Sequence, residues 1–200
     1  MLSREQFDAI EFDAVRSGDH AAAAALMSRL AATAAESAGM ARAEAYLRAG
    51  EQYLLADDPA AAAGGFRRAM AEGGPVFVDP RVPLARALFQ LGRDAEAQAL
   101  IRRLKAEELS DPRVCDLVAE LLVDRSDLQG ALDWATAGVE LCLRRVADGA
   151  DGEDGQAQPQ GGPDKTDVQS ELRLLLSLRY RIRNDLGLPE DRYDQMLDEA

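Results

Sequence analysis

Few residues in this chain are of a kind that does chemistry, and the spacing of each argues for a plainer job. His20 is the one histidine. It follows Gly18-Asp19 at the expected start of a helix, where a solvated side chain is the simplest reading. Cys115 and Cys142 lie in separate helical stretches, with no CxxC and no histidine near either. A zinc site needs about four closely spaced ligands, so the two thiols read as buried core groups suited to a reducing compartment. Asp57-Asp58 is a candidate carboxylate pair, but it stands directly before Pro59. An aspartate followed by proline is a helix cap with proline in the first turn. Asp148, Asp151, Glu153 and Asp154 lack the ligand alternation and closing glutamate of a calcium loop. Gly64-Gly65 falls inside a helical pattern, where glycine permits close packing rather than cradling a phosphate. No GxSxG or HExxH occurs. No catalytic set, metal site or cofactor is therefore expected, and the chain reads as a non-enzyme.

Charge narrows the partners. The formal net charge is −13, and the basic residues are nearly all arginines interleaved with Asp and Glu. Nucleic-acid binding needs clustered cations, and an acidic surface repels phosphate backbones and anionic membranes. Neither nucleic acid nor membrane is expected as a partner. The longest apolar run, Ala21 to Met27, is far short of the ~18–20 residues that span a bilayer. Residues 2–15 mix Arg4, Glu5, Asp8, Glu11 and Asp13 into their apolar pattern, which is unlike a signal peptide. A cytoplasmic location is expected. The wealth of Ala and Arg beside only Lys105 and Lys165 suggests a GC-rich bacterial genome.

The elements follow from a recurring pattern: a turn, an acid, a small residue, then an apolar helix. It appears around Asp19, Asp58, Asp94 and Asp127. Its last alanine falls at Ala23, Ala62, Ala97 and Ala131, with separations of 39, 35 and 34 residues. Each unit holds one helix before the turn and one after it. In the second unit these are expected at about 41–56 and 59–71. Asp79-Pro80 and Asp111-Pro112 open the third and fourth units as Asp58-Pro59 opens a helix, and Gly73-Gly74-Pro75 stops one. Val114, Leu117, Val118, Leu121 and Leu122 keep helical apolar spacing, as do Leu84, Leu88 and Leu91. Val76-Phe77-Val78 has no strand to pair with and is expected to be an extended connector that packs Phe77. Trp134 is expected to pack against a closing helix. Residues 147–166 are acidic and rich in Gly and Pro, too polar to offset the entropy of ordering, and are expected to be a disordered loop. A capping helix at about 167–186 and a short final helix at about 189–199 should shield the last apolar face. Four hairpins over 1–146, a loop over 147–166 and a cap over 167–200 make up the expected organisation.

The second unit reads Tyr46-x2-Ala49-Gly50-x2-Tyr53, then Ala62-x3-Phe66-x2-Ala69, then Pro75. This resembles the tetratricopeptide repeat, whose signature is an aromatic, a Leu-Gly pair, a Tyr, then Ala-x3-Phe and Pro. Ala49 replaces the Leu, and Pro75 comes one residue late. The other units are more degenerate, and Glu11 stands where the first should carry a small residue. The resemblance covers about residues 5–145. It implies an all-α, right-handed α-solenoid of antiparallel helix hairpins. It also implies that the first helix of each hairpin lines a concave groove for a protein or peptide. Carried over residue by residue, that groove shows Asp8, Phe12 and Arg16; Leu47, Glu51 and Leu54; Val82, Arg86, Phe89 and Gln90; and Asp116, Glu120 and Asp124. A basic segment with one apolar anchor is the expected guest. A scaffold for protein–protein interaction is the leading expectation. An accessory subunit that self-associates or docks through its helix ends is the alternative, and a hydrolytic enzyme stands behind both.

Overall fold

The structure, a computed structural model, describes residues 3–33, 40–107, 111–151 and 165–199. Among them there are ten α-helices and no strand. They fall into two compact units, Met1–Ala106 and Glu107–Ala200.

The first unit holds α1 (Arg4–Ser17), α2 (His20–Thr33), α3 (Arg42–Leu55), α4 (Pro59–Glu72), α5 (Arg81–Gln90) and α6 (Asp94–Ala106). Each helix packs on the next in sequence. Aspartates open α2, α4 and α5, and Ser3 opens α1. The Asp58 carboxylate accepts from the Ala61 N–H at 2.9 Å, and the Asp79 carboxylate accepts from the Arg81 N–H at 2.9 Å. Asp19 does the same for Ala22. Each such cap satisfies a backbone donor that the helix itself leaves orphaned.

The helix after a turn reverses onto the helix before it by one repeated device. Gly18, Asp57 and Gly92 all take left-handed backbone, with φ of 77°, 56° and 69°. The residue after the second and third of these then donates back to the carbonyl five positions earlier, Asp58 to Tyr53 and Arg93 to Leu88, each at 2.9 Å. This is the Schellman closure of a helix end. It leaves the two helices antiparallel and close.

How close depends on small residues. A Cβ on Gly65 would lie 3.2 Å from both the Gly50 Cα and the Tyr46 carbonyl oxygen. A Cβ on Gly50 would run into the Phe66 ring, 2.7 Å from Cδ1. The α3–α4 hairpin is thus built on a glycine–glycine crossing roofed by Phe66, which is fully buried together with Ala49 and Ala62. Burying such an aromatic contributes about 1.5–3 kcal/mol.

The second unit holds α7 (Pro112–Asp124), α8 (Leu128–Asp151), α9 (Lys165–Asp185) and α10 (Arg192–Glu199). Asp111 and Asp127 cap α7 and α8. Ser126, with φ of 60°, makes the left-handed turn between α7 and α8, and Asp127 donates to the Leu122 carbonyl at 2.9 Å. Gly138 lets α8 approach both neighbours, since a Cβ there would come within 2.9 Å of Cys115 Cβ on α7 and 2.8 Å of Leu175 Cδ2 on α9. Trp134 is buried. Val139, Cys142, Val168, Leu175, Leu176 and Tyr193 form the core between α8, α9 and α10. Cys115 and Cys142 are free and buried. Burial pushes their thiols up to about 12 and about 11, so both stay protonated and inert at neutral pH.

The pair α9–α10 is more than a cap. Gly187 has φ of 66°, and the Leu188 N–H donates to the Arg183 carbonyl at 3.0 Å. This is the turn seen three times before, so α9 and α10 form a fifth helical hairpin. What differs is its seam. Seven residues before the left-handed turn residue stand Gly50, Ala85 and Ala119 in the second, third and fourth hairpins, but Tyr180 in the fifth. No small residue permits a close crossing there. An ion cluster closes the hairpin instead. The buried Arg179 guanidinium donates to both Asp191 oxygens, to Asp194 Oδ1 at 3.1 Å and to Thr136 Oγ1 of α8 at 3.0 Å. Arg183 donates to Asp194 Oδ2 at 2.9 Å. The Arg179 guanidinium also lies 4.7 Å from the centre of the Tyr193 ring.

Three expectations meet the structure differently. Helix α8 continues through 147–151, because extending an established helix costs far less than starting one. Helix α9 already includes 165–166, and residues 152–164 of the expected loop lie outside the described residues. Helix α10 starts at Arg192 rather than near Pro189, because Asp191 supplies the cap to the Tyr193 and Asp194 N–H groups. Phe77 does not pack inward. The residue is 69% exposed, its backbone N–H donates to Glu44 Oε2 at 2.9 Å, and the connector bends at 77–78 rather than running extended.

Candidate functional site

Counting back from each left-handed turn residue gives the face that every first helix turns away from its hairpin partner. In α1 this face carries Asp8, Phe12, Val15 and Arg16, all exposed. In α3 it carries Glu44, Arg48, Glu51, Leu54 and Leu55.

Arg48 joins the two stripes. Its Nε donates to Glu11 Oε1 at 2.7 Å, and its Nη2 donates to Glu11 Oε2 and to Asp8 Oδ1, both at 2.6 Å. The hydrogen bond to Glu11 is the largest of the effects that raise the Arg48 pKa above its ordinary value. Glu11, the departure from a small residue in the first repeat, is thus half of a two-helix ion pair. The direction of the helices follows from a second contact. His20, just past the end of α1, brings Nδ1 to 2.8 Å from Gln52 Oε1, a buried amide in the last turn of α3. An oxygen acceptor there requires the proton on Nδ1. His20 therefore links two hairpins rather than standing in solvent. Helices α1 and α3 run parallel, with 11 level with 48 and 20 near 52.

Glu51 is the group this arrangement perturbs most usefully. It is half-buried and accepts no hydrogen bond among the described residues. Burial first, then repulsion from Glu11 and Glu44, pushes its carboxyl up to about 7, with Arg48 opposing. An acid whose folded pKa is raised binds its proton more tightly when folded. Its contribution to stability is therefore fullest at low pH and declines as pH rises from the ordinary glutamate value through 7. Glu51→Gln is expected to remove that decline. Urea unfolding at pH 5, 6, 7 and 8 should show the variant gaining on the wild type as pH rises, by about 1 kcal/mol at pH 8 once solvent screening is allowed for. Parallel pH profiles would disprove the assignment.

The remaining expected groove residues divide. Leu47, Val82 and Phe89 are buried, so they belong to the core and offer no surface to a guest. The cause is simple: α3 packs on both α2 and α4, and α5 on both α4 and α6, which leaves only a narrow stripe of each free. Leu54 and Arg86 are half-buried, and Gln90 is exposed. In the second unit Glu120 and Asp124 are exposed and Asp116 is half-buried. Burial and the nearby Glu120 hold the Asp116 carboxyl above its usual range, against the pull of Arg181 on α9. Glu171 on α9 is likewise raised, by burial and by Asp116 and Asp111. Sequence reasoning missed Glu11, Val15, Arg48, Leu55, Glu171 and Arg181. Counting from the turn residue would have found Val15, Arg48, Leu55 and Arg181; the pairing of Glu11 with Arg48 needed the packing of α1 on α3.

Among the described residues no three His, Cys, Asp or Glu side chains converge to hold a metal ion. No helix searched among those residues is long and apolar enough to cross a membrane.

A family model described as tetratricopeptide repeat matches residues 53–121. Over that stretch, about a third of its length, the chain is similar to tetratricopeptide repeats. The matched stretch opens at Tyr53 in α3 and closes at Leu121 in α7, so it takes in the turns at Asp57 and Gly92. No curated protein and no solved structure matches the chain. Tetratricopeptide repeats generally mediate protein–protein interaction, and the family is typically non-catalytic.

Proposed function

We propose that the chain is a non-catalytic tetratricopeptide-repeat scaffold in the cytoplasm. It binds a protein segment of basic character on the exposed stripes of its first helices. The observation that carries this reading is the spacing of Asp116, Glu120 and Asp124. They stand four residues apart along α7, with the last two exposed. A row of carboxylates on one helical stripe favours lysines and arginines at matching spacing and disfavours acidic partners. The two free cysteines suit a reducing compartment.

Because Phe89 is buried, its replacement would test folding rather than binding. Charge reversal on the exposed stripe is the cleaner probe. Glu120→Arg with Asp124→Arg is expected to leave the helical circular dichroism and thermal midpoint near wild type, and to remove specific partners from a cell-extract pull-down. Identical partner profiles for both proteins would overturn the assignment.

A further inference from the structure

The α1–α3 face carries an apolar surface that its packing does not explain. Phe12 is 70% exposed, Val15 72% and Leu55 61%. Phe12 and Val15 are three residues apart on α1 and so adjoin each other. Leu55 lies two turns beyond Arg48 on α3. The parallel course of the two helices puts it toward the same end as Val15. Isolated surface leucines are ordinary, but large apolar groups gathered on one stripe mark binding surfaces. The surroundings of this patch are acidic, and Arg16, on the same α1 stripe, is engaged by Asp13 at 3.0 Å. Asp8 and Glu11 precede it on α1, and Glu44 and Glu51 precede Leu55 on α3. Arg48 answers only Asp8 and Glu11. Glu44 accepts from the Phe77 N–H, which leaves Glu51 as the carboxylate beside the patch with no donor.

We propose that this face docks a short segment bearing one large apolar side chain next to a lysine or arginine. The apolar group sits on Phe12, Val15 and Leu55, and the cation sits on Glu51. The proposal rests on the reading of first-helix stripes as binding surfaces and specifies what one of them takes. Charge complementarity selects the occupant. An acidic segment would add charge beside four carboxylates that share one guanidinium. A second copy of this chain would bring a formal charge of −13 against −13. A cation on Glu51 supplies the missing donor and favours the ionised carboxylate, so binding should strengthen as pH rises from 6 to 8.

The probe is a short fluorescein-labelled peptide of leucine and lysine, followed by fluorescence anisotropy with the full chain. One control peptide has every lysine replaced by glutamate, and another has every leucine replaced by serine. Wild type is expected to bind the Leu/Lys peptide and neither control. Phe12→Ser and Glu51→Gln, an exposed position and an isosteric change, should each weaken binding about tenfold or more, equivalent to about 1.4 kcal/mol. Asp185→Asn with Glu190→Gln, a change of two surface charges on the other unit, should leave binding unchanged. Equal binding by Phe12→Ser and Glu51→Gln would overturn the proposal. So would equal binding of the serine control, which would mean that net charge alone attracts the peptide. Amide-exchange protection confined to α7 would also overturn it, while leaving the scaffold reading intact. Loss of the scaffold reading would show separately, as pull-down profiles indifferent to the α7 charge reversal.

Discussion

Arg179→Met is expected to lower the unfolding free energy by about 3 kcal/mol, more than any other single polar change in the second unit. Removing one partner of a buried ion network typically costs about 3–5 kcal/mol, because it strands the charges that remain. The side chains of Arg179 and Asp194 are 5% and 4% exposed. Without Arg179, Asp194 keeps Arg183, so the effect should fall at the lower end. Thr136 Oγ1 loses its donor, and Tyr193 loses one of the two guanidiniums over its ring, keeping Arg192. Urea denaturation measures the loss, and hydrogen exchange locates it: α10 should exchange far faster than α7 or α8. Arg179→Met combined with Asp194→Leu should recover part of the stability, since an apolar replacement no longer leaves a buried carboxylate unpaired. Acid gives an independent reading. The hydrogen bond from Arg179 holds the Asp191 carboxyl down at about 2, against an ordinary 3.8. A depressed folded pKa contributes stability that is fully present above the ordinary value and fades as pH falls toward 2. In Arg179→Met that acid-dependent contribution should shrink. An unchanged midpoint and unchanged exchange in α10 would show that the cluster does not hold the hairpin closed.

Alanine at the three glycines of the α3–α4 hairpin should give opposite signs within a few residues of one another. Glycine inside a helix is less favourable than alanine by about 0.8–1.0 kcal/mol. At Gly64 an added Cβ meets nothing within 4 Å, so Gly64→Ala should stabilise by roughly that amount. At Gly65 the new methyl meets backbone of α3, which cannot rotate away, so Gly65→Ala should destabilise despite its better propensity. At Gly50 the methyl meets the ring of Phe66, which is fully buried and has no space to vacate. Overpacking of this kind costs about 1–3 kcal/mol. Gly50→Ala should therefore be destabilising by about 1–2 kcal/mol net, and Gly50→Leu by more. Gly50→Ala with Phe66→Leu should recover much of the loss, because the smaller side chain frees the volume. Thermal midpoints of the five variants test the set. The same sign at Gly64 and Gly65 would refute the close crossing.

The repeats were legible because their determinants are local. Aspartate caps and prolines in first turns depend on residues within one turn of each other, and Asp58-Pro59 and Asp111-Pro112 open α4 and α7 as the pattern puts them, whereas Pro80 stands just before α5. The fifth hairpin escaped the pattern for a physical reason. Its seam does not use the small residues by which the other four were aligned. Arg192, five residues after Gly187, replaces the register alanine, Tyr180 replaces the glycine or alanine of the second, third and fourth hairpins, and Asp191 caps α10 four residues after Gly187 rather than one. Arg179 itself was visible on the apolar stripe of α9, but its partners lie across a turn. The candidate surface was legible in part. Asp8, Phe12, Glu120 and Asp124 are exposed and Glu51 is half-buried. Leu47 and Phe89 are buried, and their sequence pattern does not show it, because periodicity assigns a residue to a side of a helix but not to the neighbour that covers it.

The left-handed turns have a bearing on how such a chain lengthens. Each is built from six consecutive residues and asks nothing of the rest of the molecule. The spacing from Gly18 to Asp57, Gly92 and Ser126 is 39, 35 and 34 residues, yet the next turn, at Gly187, comes 61 residues later with the same backbone and the same closing bond. Extra chain between hairpins therefore leaves the reversal within a hairpin untouched. Duplication of a hairpin, or insertion between two of them, can be accommodated without redesigning any turn, and lineage variation in length should collect in those connections rather than in the six-residue reversals.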